Sequence, residues 1–308
     1  MSAFSSVDLD GFRVRAAEAG DVEAVAALMG AQNTRDYGAP GISKEDLRRR
    51  WEGLDLSQDT WLALTAGGEL AGYAELRPDP PESYDVALYL ADGPRQMELG
   101  AALLELAGRR ATPSLPIYSH ISAANPLGVQ IFSSAGYRSQ LSFLIMERIL
   151  DTPPEAAQWA SGISVRPFVR GQDEQAVYLV DEEAALDKGY HAPLSFDGWS
   201  RRMSLNSPRF DPGLWFLACQ AEAIAGEALN LYHPETQTAW VDHLSVLRAW
   251  RKQGLGQALL LHSFGEFFRR GIRRVRLSVD SQSLTNAPRL YARVGMETVQ
   301  EYHVFRKG

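Results

Sequence analysis

The chain repeats itself once, and this internal repeat limits the possible folds more than any other feature of its 308 residues. The offset between the copies grows slowly, from 151 at Arg15 and Arg166 to 156 at Gly100 and Gly256. Small loop insertions produce such a drift, so we expect two copies of one fold. Four segments recur in the same order: residues 11–15 (GFRVR) and 162–166 (GISVR), 61–64 (WLAL) and 215–218 (WFLA), 99–104 (LGAALL) and 255–260 (LGQALL), and 134–137 (SAGY) and 293–296 (RVGM).

The boundary between the copies falls at residues 151–162 (DTPPEAAQWASG). Pro153 and Pro154 prevent a helix from continuing through this segment, so we expect it to be a linker. It separates domains of residues 1–150 and 163–308, each near the size of about 150 residues that is common for one domain. Hydrophobic residues make up 45% of the chain and charged residues 22%, so each copy has enough apolar side chains for a core.

Charge and cysteine content exclude several classes of protein. The formal net charge of −7 argues against nucleic acid as a partner, because phosphate backbones are bound by basic surfaces. The single cysteine, Cys219, excludes an internal disulfide, and no Cys or His spacing is typical of a metal site, so we expect no metal. Asp8 and Asp10 lie where a signal peptide would need an apolar core, and no apolar run approaches about 18 residues. These features predict a cytoplasmic protein without membrane contact.

The hydrophobic pattern predicts the same order of elements in each copy: a strand, a helical region, two or three strands, a long helix, a strand, a short helix and a terminal hairpin. This alternation of strands and helices predicts an α/β architecture with a mixed sheet in each copy. In the second copy the expected elements are strands 214–220, 224–231 and 240–247, helix 254–270, strand 275–279, helix 287–294 and a final strand at 302–305.

The segment most suggestive of chemistry is residues 241–260 (VDHLSVLRAWRKQGLGQALL). A strand leads into a basic loop with two glycines and then directly into a helix. The first amide groups of a helix are unpaired and carry the positive end of its dipole, so such a loop presents donors to an anion. Gly254 and Gly256 allow a ligand to approach the main chain, and Arg251 and Lys252 add positive charge. Phosphate is the expected ligand.

Two common phosphate-binding motifs do not fit this loop. A P-loop requires GxxxxGK followed by Ser or Thr, and no such run is present. The dinucleotide-binding fingerprint matches Gly254 and Gly256, but Leu259 stands where its third glycine or alanine belongs. In addition, residues 248–253 separate the strand from the turn that should follow it at once.

The loop instead resembles the R-x-x-G-x-G/A acetyl-CoA motif of the GNAT N-acetyltransferases, in residues 251–256 (RKQGLG). Residues 286–296 (NAPRLYARVGM) are similar to a later segment of the same family, which places an Asn, a Tyr and a Gly in this order. Both motifs lie in the expected element contexts, and the repeat extends the resemblance to residues 12–148. The chain therefore resembles a tandem GNAT protein, a layout similar to that of the mycothiol synthases.

The resemblance implies acetyl-CoA as co-substrate, with no metal. Tyr291 would donate a proton to the departing CoA thiolate, and Asn286 would hydrogen-bond the pantetheine arm. Asp242 is the first candidate for the base that deprotonates the acceptor amine and Glu227 the second, while His243 is expected on the opposite face of the strand from Asp242. The remaining residues implied to contact the co-substrate, by main-chain groups of the strand end or by amides of the loop, are Leu244, Ser245, Val246, Arg251, Lys252, Gln253, Gly254, Leu255, Gly256 and Gln257.

The first copy lacks parts of this site. Glu98 replaces the first glycine of the loop and places a negative charge where a phosphate should bind. Phe132 lies four residues before Gly136, as Tyr291 lies four before Gly295, so the phenolic proton is missing. We therefore expect the N-terminal domain to keep the fold without catalysis.

The acceptor remains open at this point. Residues 185–214 vary in this fold and contain Tyr190, His191, Trp199 and several arginines, which suit a polar pocket or a solvated loop. The expected activity is transfer of an acetyl group to a primary amine of a small molecule, by a monomer or homodimer. Two alternatives are a non-catalytic acyl-CoA-binding or regulatory module and a protein or peptide Nα-acetyltransferase.

Overall fold

The computed structural model describes residues 7–9, 11–38, 41–79, 83–187, 193–207, 210–283 and 287–308. These residues form two compact units. The first comprises the chain up to Phe143 together with Gln300–Gly308, and the second comprises Leu144–Val299. In each unit a mixed sheet packs against helices, which confirms the predicted α/β fold class.

The first copy of the repeat contains strands and helices in the predicted order up to its last element. They are β1 (Val7–Leu9), β2 (Phe12–Arg15), α1 (Val22–Tyr37), α2 (Lys44–Glu52), α3 (Leu56–Asp59), β3 (Thr60–Thr65), β4 (Leu70–Asp79), β5 (Ser83–Leu90), α4 (Gln96–Arg110), β6 (Ile117–Ser122), α5 (Pro126–Ser134) and β7 (Arg138–Ile149).

The second copy follows the same order. Its elements are β8 (Ile163–Pro167), α6 (Glu174–Ala185), α7 (Phe196–Arg202), β9 (Trp215–Gln220), β10 (Ala223–His233), β11 (Thr238–Val246), α8 (Leu255–Arg269), β12 (Arg274–Asp280), α9 (Ala287–Arg293) and β13 (Glu297–Lys307). Each copy ends in one long strand, β7 or β13, so the predicted terminal hairpin is wrong. No Gly or Pro interrupts either strand after its first residue, and both continue without a turn.

The units exchange their final segments relative to the repeat. Residues 144–150, which end the first copy, belong to the second unit, where the Leu150 amide donates to the Arg273 carbonyl at 2.7 Å. Residues 300–308, which end the second copy, belong to the first unit, where Tyr302–Lys307 pair with β6. The boundary at 151–162 therefore remains a prediction about the repeat, whereas the compact units divide the chain elsewhere.

One pair of parallel strands in each unit separates along its length. In the second unit, β11 and β12 pair through Thr238–Trp240 and Arg274–Arg276, and both strands then continue to Val246 and Asp280. In the first unit, β5 and β6 pair only at the start, through Tyr84 and Asp85. The other paired neighbours described here are antiparallel. Ligands of open α/β sheets bind at the carboxyl ends of strands, where such a crevice forms.

The two faces of the second sheet carry different side chains. Ala228 and Leu244 face α8 and pack with Leu255 and Leu259. The opposite face carries Leu229 and packs under α6 and α7. Because Glu227 alternates with Ala228 along β10, it lies on the face under α6 and α7. In the described ranges, no helix is both long and apolar enough to cross a membrane.

The exchange of end segments predicts that neither copy folds well alone. A fragment of residues 1–150 lacks β13, and with it the buried side chains of Val304 and Phe305. Burial of two such side chains contributes about 3 to 6 kcal/mol, a large part of a typical domain stability. We expect this fragment to melt without a cooperative transition in circular dichroism, and to regain one when residues 300–308 are appended through a flexible linker. A cooperative transition of equal midpoint in both fragments would contradict the exchange.

Candidate active site

The predicted anion-binding loop connects β11 to α8. A short 3-10 turn at Arg248–Trp250 follows the strand, and the helix begins after Gly254. Lys252 and Gly254 have positive φ values of 61° and 83°, so the chain turns sharply before the helix. No side chain of the described residues caps this helix end. The first amide groups of α8 are therefore available to an external acceptor, as the sequence predicted.

The two glycines of the loop have different tasks. A Cβ atom at Gly254 would meet no described atom within 4 Å, so the space in front of the helix end is open. At Gly256 a Cβ atom would lie 3.2 Å from the Leu290 side chain. Gly256 thus allows α8 to pack closely against α9, while the positive φ at Gly254 shapes the open end.

Arg251 stabilises the loop from within. Its Nε atom donates to the Val246 carbonyl at 2.8 Å, and its guanidinium binds the Asp187 carboxylate. Arg248 binds the same carboxylate. Hydrogen bonds from Arg248 and Arg251 lower the pKa of Asp187 to about 2, so this carboxylate is charged at neutral pH. The arginine of the motif therefore ties the end of β11 to the segment after α6.

The end of β11 exposes main-chain groups to the crevice. The Leu247 amide donates to the Ala225 carbonyl, which directs the main chain of Leu247 toward β10. In an antiparallel pair, successive residues direct their amide and carbonyl groups to opposite sides. Val246 and Leu244 therefore direct theirs away from β10, toward the side from which β12 has separated. Ser245 is buried, and its hydroxyl lies on the face under α6.

Tyr291 lies in the middle of α9 and is buried. Its ring packs in an apolar cluster that includes Leu260, Phe264 and Val279. Burial raises the pKa of Tyr291 to about 12, so the phenol keeps its proton at neutral pH. A protonated phenol is what a general acid requires. Asn286 lies outside the described residues.

Asp242 sits in an irregular part of β11. In the register with β10, Leu229 faces His243 and Asn230 faces Val241, so Asp242 has no partner residue and forms a β-bulge. Its side chain is 44% exposed, and one of its carboxylate oxygens lies 4.0 Å from Nε2 of His243. Simple alternation along the strand placed these two side chains on opposite faces, and the bulge brings them together.

Glu227 is the most unusual carboxylate of the second unit. Its exposed fraction is 0%, and neither carboxylate oxygen has a hydrogen-bond partner among the described residues. Burial, with a smaller contribution from the charge of Asp181, raises the pKa of Glu227 well above its ordinary value. A fully buried carboxyl group without a hydrogen-bond partner costs stability, which favours a functional role over a structural one.

A network of polar side chains surrounds Glu227. Asp181 projects from α6, and its carboxylate accepts a hydrogen bond from Trp199 Nε1 at 2.9 Å. Nδ1 of His243 lies 2.8 Å from the same carboxylate, and the Ser245 hydroxyl lies 3.4 Å from it. Ser245 stands directly opposite Glu227 in the strand register. We call these five residues the buried polar cluster.

The comparisons with known proteins agree with this geometry. The family model described as acetyltransferase (GNAT) family matches residues 181–296. A mycothiol acetyltransferase of Thermobispora bispora is 30% identical over 281 residues, which cover 90% of this chain and 92% of that protein. The chain belongs to the GNAT acetyltransferase family. It is an acetyl-CoA-dependent acyltransferase, and the resemblance inferred from the two motifs is confirmed.

Solved structures match this acetyltransferase over nearly its whole length. A GCN5-related N-acetyltransferase from Sphaerobacter thermophilus superposes with a TM-score of 0.83 at 34% identity, covering 98% of this chain and 96% of that one. A tandem GNAT protein from the clavulanic acid biosynthesis pathway superposes with a TM-score of 0.70 at 17% identity, covering 96% and 98%. The predicted tandem layout is therefore confirmed. No group of three or more potential metal-ligating side chains is found in the described part of the chain.

The first unit of this acetyltransferase carries different side chains at the positions of the buried polar cluster. The strand registers align Tyr73 with Glu227. Each follows a glycine, Gly72 or Gly226, that pairs with the last residue of the next strand, Leu90 or Val246. Tyr89 then aligns with Ser245, and Ala87 with His243. Trp51, like Trp199, uses its indole N–H in a hydrogen bond, but it donates to the Tyr73 hydroxyl at 2.9 Å. Among the described residues of the first unit, these positions thus carry neither the carboxylate nor the imidazole of the cluster.

The helix start of the first unit is also different. Helix α4 begins at Gln96, three residues before Leu99, whereas α8 begins at Leu255, the equivalent of Leu99. An extra helical segment therefore occupies the place of the loop, with Arg95 at a φ of 68° before it and Glu98 in the first turn. A cavity of about 410 Å³ nevertheless remains at the crevice between β5 and β6. The first unit retains space for a ligand without the loop of the second.

Several site residues escaped the sequence analysis. Asp181 was not singled out from the sequence, and His243 was expected on the opposite face of the strand from Asp242. A direct alignment of the copies would have given a signal, since Asp181 aligns with Met29 and His243 with Ala87 when the offsets of 152 and 156 are applied. Ionisable residues that replace apolar ones within a repeat are candidates for function.

The burial of Glu227 predicts how stability depends on pH. Because its folded pKa is raised, the native state holds a proton that the unfolded state loses, so stability falls as pH rises above the ordinary value near 4.5. Glu227→Gln removes this loss. We expect the variant and the parent to have the same melting temperature near pH 4.5. As the pH rises above this value, the variant should become the more stable of the two, by up to about 1.4 kcal/mol per pH unit, until Glu227 loses its proton in the native protein.

Asp173→Asn on the same helix as Asp181 provides the control. The Arg166 hydrogen bond lowers the pKa of Asp173, so the stabilisation is present at neutral pH and is lost as the pH falls below its ordinary value of 3.8. This variant should therefore be less stable than the parent at neutral pH and approach it in acid. A Glu227→Gln variant that follows the same trend as the control would show that Glu227 is charged in the native protein.

Proposed function

We propose that the second unit transfers the acetyl group of acetyl-CoA to a primary amine of a small molecule by direct attack of the amine on the thioester. The proposal rests on Glu227 of β10, which is fully buried and has no hydrogen-bond partner among the described residues. The neighbouring strand β11 leads to the start of α8, which no described side chain caps. The same sheet thus offers a base with raised pKa and a set of free amides. This combination suits amine deprotonation beside an anionic co-substrate.

The co-substrate would be held by the loop and by the edge of β11. The amides of residues 251–257 would hold the pyrophosphate, since the helix end is open in front of Gly254. Main-chain groups of Leu244 and Val246 would pair with the pantetheine, with the Val246 carbonyl shared with Arg251. Asn286 keeps its proposed role at the pantetheine arm. Acetyl-CoA supplies the activated acetyl group, and these residues orient it.

Glu227 replaces Asp242 as the first candidate for the general base. A base near neutral pH needs a raised carboxyl pKa, and burial provides this at Glu227. The exposed position of Asp242 does not supply such an environment. In this mechanism the acceptor ammonium loses a proton to Glu227, the nitrogen attacks the thioester carbon, and Tyr291 protonates the departing sulfur.

The relatives favour an acceptor of the mycothiol type. Proteins named mycothiol acetyltransferase are similar to this chain over about nine-tenths of their length. We propose a mycothiol precursor bearing a primary amine as the first acceptor to test. The first unit would not catalyse the reaction, because Tyr73 replaces the base, Phe132 replaces the acid, and a helical turn fills the loop.

Tyr291→Phe tests the general acid. The substitution removes one hydroxyl from a buried ring and keeps its packing. We expect kcat to fall about 100-fold, within the usual range for general acid catalysis, while the Kd for acetyl-CoA changes less than about threefold. Stopped-flow turnover and isothermal titration measure the two quantities. Phe132→Tyr, the reverse change at the equivalent position of the first unit, should not alter kcat. Unchanged turnover in Tyr291→Phe would exclude the phenol as the acid.

An amine panel that follows release of free CoA tests the reaction and the co-substrate loop together. We expect turnover with a mycothiol precursor and a loss of acetyl-CoA affinity of at least about tenfold in Gly254→Glu, because the new carboxylate repels phosphate and the backbone has a positive φ. Gly265→Glu adds the same charge to an open position in the same helix and should have little effect. Acetyl-CoA binding without turnover of any amine would instead indicate a non-catalytic module.

A further inference from the structure

The proposed reaction leaves one proton behind in each turnover. An ammonium and acetyl-CoA give an N-acetyl amide, free CoA thiol and one proton: the N–C bond forms and the C–S bond breaks. The nitrogen loses two protons. One of them replaces the proton that Tyr291 gives to the sulfur, and the other remains on Glu227. This inference rests on the proposed function, because it concerns how Glu227 returns to its basic form.

Glu227 has no direct contact with solvent. Its exposed fraction is 0%, and it has no hydrogen-bond partner among the described residues. A proton held there must therefore pass through neighbouring groups or through the substrate site, which the product still fills. The buried polar cluster supplies neighbours on the same face of the sheet.

The other members of the cluster extend from the residue opposite Glu227 toward the surface. Ser245 lies opposite Glu227, and its hydroxyl lies 3.4 Å from the Asp181 carboxylate. The same carboxylate oxygen lies 2.8 Å from Nδ1 of His243, whose side chain is 20% exposed. Nε2 on the far side of the ring lies 4.0 Å from Asp242, which is 44% exposed. Exposure thus increases step by step along a line of groups that accept and release protons.

We propose that Asp181 and His243 form a proton outlet that carries the proton of Glu227 to the exposed carboxylate of Asp242. Histidine suits this task because its two ring nitrogens can accept and donate protons on opposite sides of the ring. Asp181 holds the ring through its contact with Nδ1. In the transfer, Nδ1 takes up a proton from the Asp181 carboxyl group while Nε2 releases one toward Asp242. Both are positioning and relay residues that act through Glu227 and do not contact the reacting atoms.

Packing alone does not require these ionisable groups. The first unit has the same strands and the same tryptophan position, yet it holds Tyr73, Tyr89 and Ala87 there. The Trp51 N–H finds its acceptor in the Tyr73 hydroxyl. The first unit does bury one carboxylate here, Glu75, but Arg50 pairs with it at 2.9 Å. The second unit instead places three carboxylates and an imidazole around one bulge and leaves Glu227 without a hydrogen-bond partner among the described residues. A task in proton transfer accounts for that difference.

His243→Asn tests the outlet in the full-length enzyme. The asparagine amide can hydrogen-bond to Asp181 in place of Nδ1, but it cannot relay a proton at neutral pH. We expect kcat to fall at least about tenfold, with an unchanged Kd for acetyl-CoA, and to recover as imidazole is added at constant pH and ionic strength. His233→Asn is the matched control. His233 is the last residue of β10 and, like His243, lies near a carboxylate, that of Glu235 at 3.6 Å. It is outside the buried polar cluster.

The outcomes separate this inference from the proposed function. The outlet is supported if imidazole restores the kcat of His243→Asn. The same addition should not raise the kcat of the parent, of His233→Asn or of Glu227→Gln. Full turnover in His243→Asn, or a loss that imidazole does not restore, overturns it while leaving Glu227 as the base. If Glu227→Gln keeps full turnover, the proposed base itself is wrong. Asp242 is exposed, so Asp242→Asn should not disturb the core. We expect a smaller fall in kcat than in His243→Asn, again restored by imidazole. A fall in kcat that imidazole does not restore would also count against the outlet.

Discussion

The separation of β11 from β12 is the constraint on which the rest of the site depends. Parallel strands that remained paired to their ends would satisfy the main-chain groups of Leu244 and Val246 and would close the space in front of α8. Because pairing stops at Trp240, these groups and the start of the helix face one crevice. The geometry is a property of the backbone, since the first unit has the same separation after Asp85.

Each unit therefore contains such a crevice, and the side chains around it determine its function. Arg35 and Asp92 form an ion pair of 3.3 Å in the first unit. Offsets of 152 and 156 place them at the positions of Asp187 and Arg248, which form the same ion pair with the charges reversed. The contact between the helix and the loop is retained, although both residues differ. Features shared in this way stabilise the fold, and features confined to the second unit, such as the open loop and the buried polar cluster, indicate function.

Much of this could be predicted from the sequence because it depends on local patterns. The order of strands and helices and the glycine loop before α8 follow from short-range periodicity and turn residues, and the structure places them near their predicted bounds. The bulge at Asp242 could not be predicted, because a one-residue change of register depends on the neighbouring strand. Asp181 joins the site through tertiary packing of α6 on the sheet. The exchange of final strands is likewise set by pairing across the chain, which no local pattern contains.

Two buried glutamates show why pairing, and not burial, distinguishes structure from function in this protein. Glu75 in the first unit is as inaccessible as Glu227, but Arg50 lies 2.9 Å from its carboxylate and the Tyr73 hydroxyl donates to it at 2.7 Å. Such a charge is compensated and serves packing. Glu227 has no comparable partner, and the nearby charge of Asp181 is of the same sign. An arriving ammonium would supply the missing opposite charge and draw the carboxyl toward its basic form. Under the proposed mechanism, Glu227 is therefore the carboxyl group that would receive the positive charge of the acceptor.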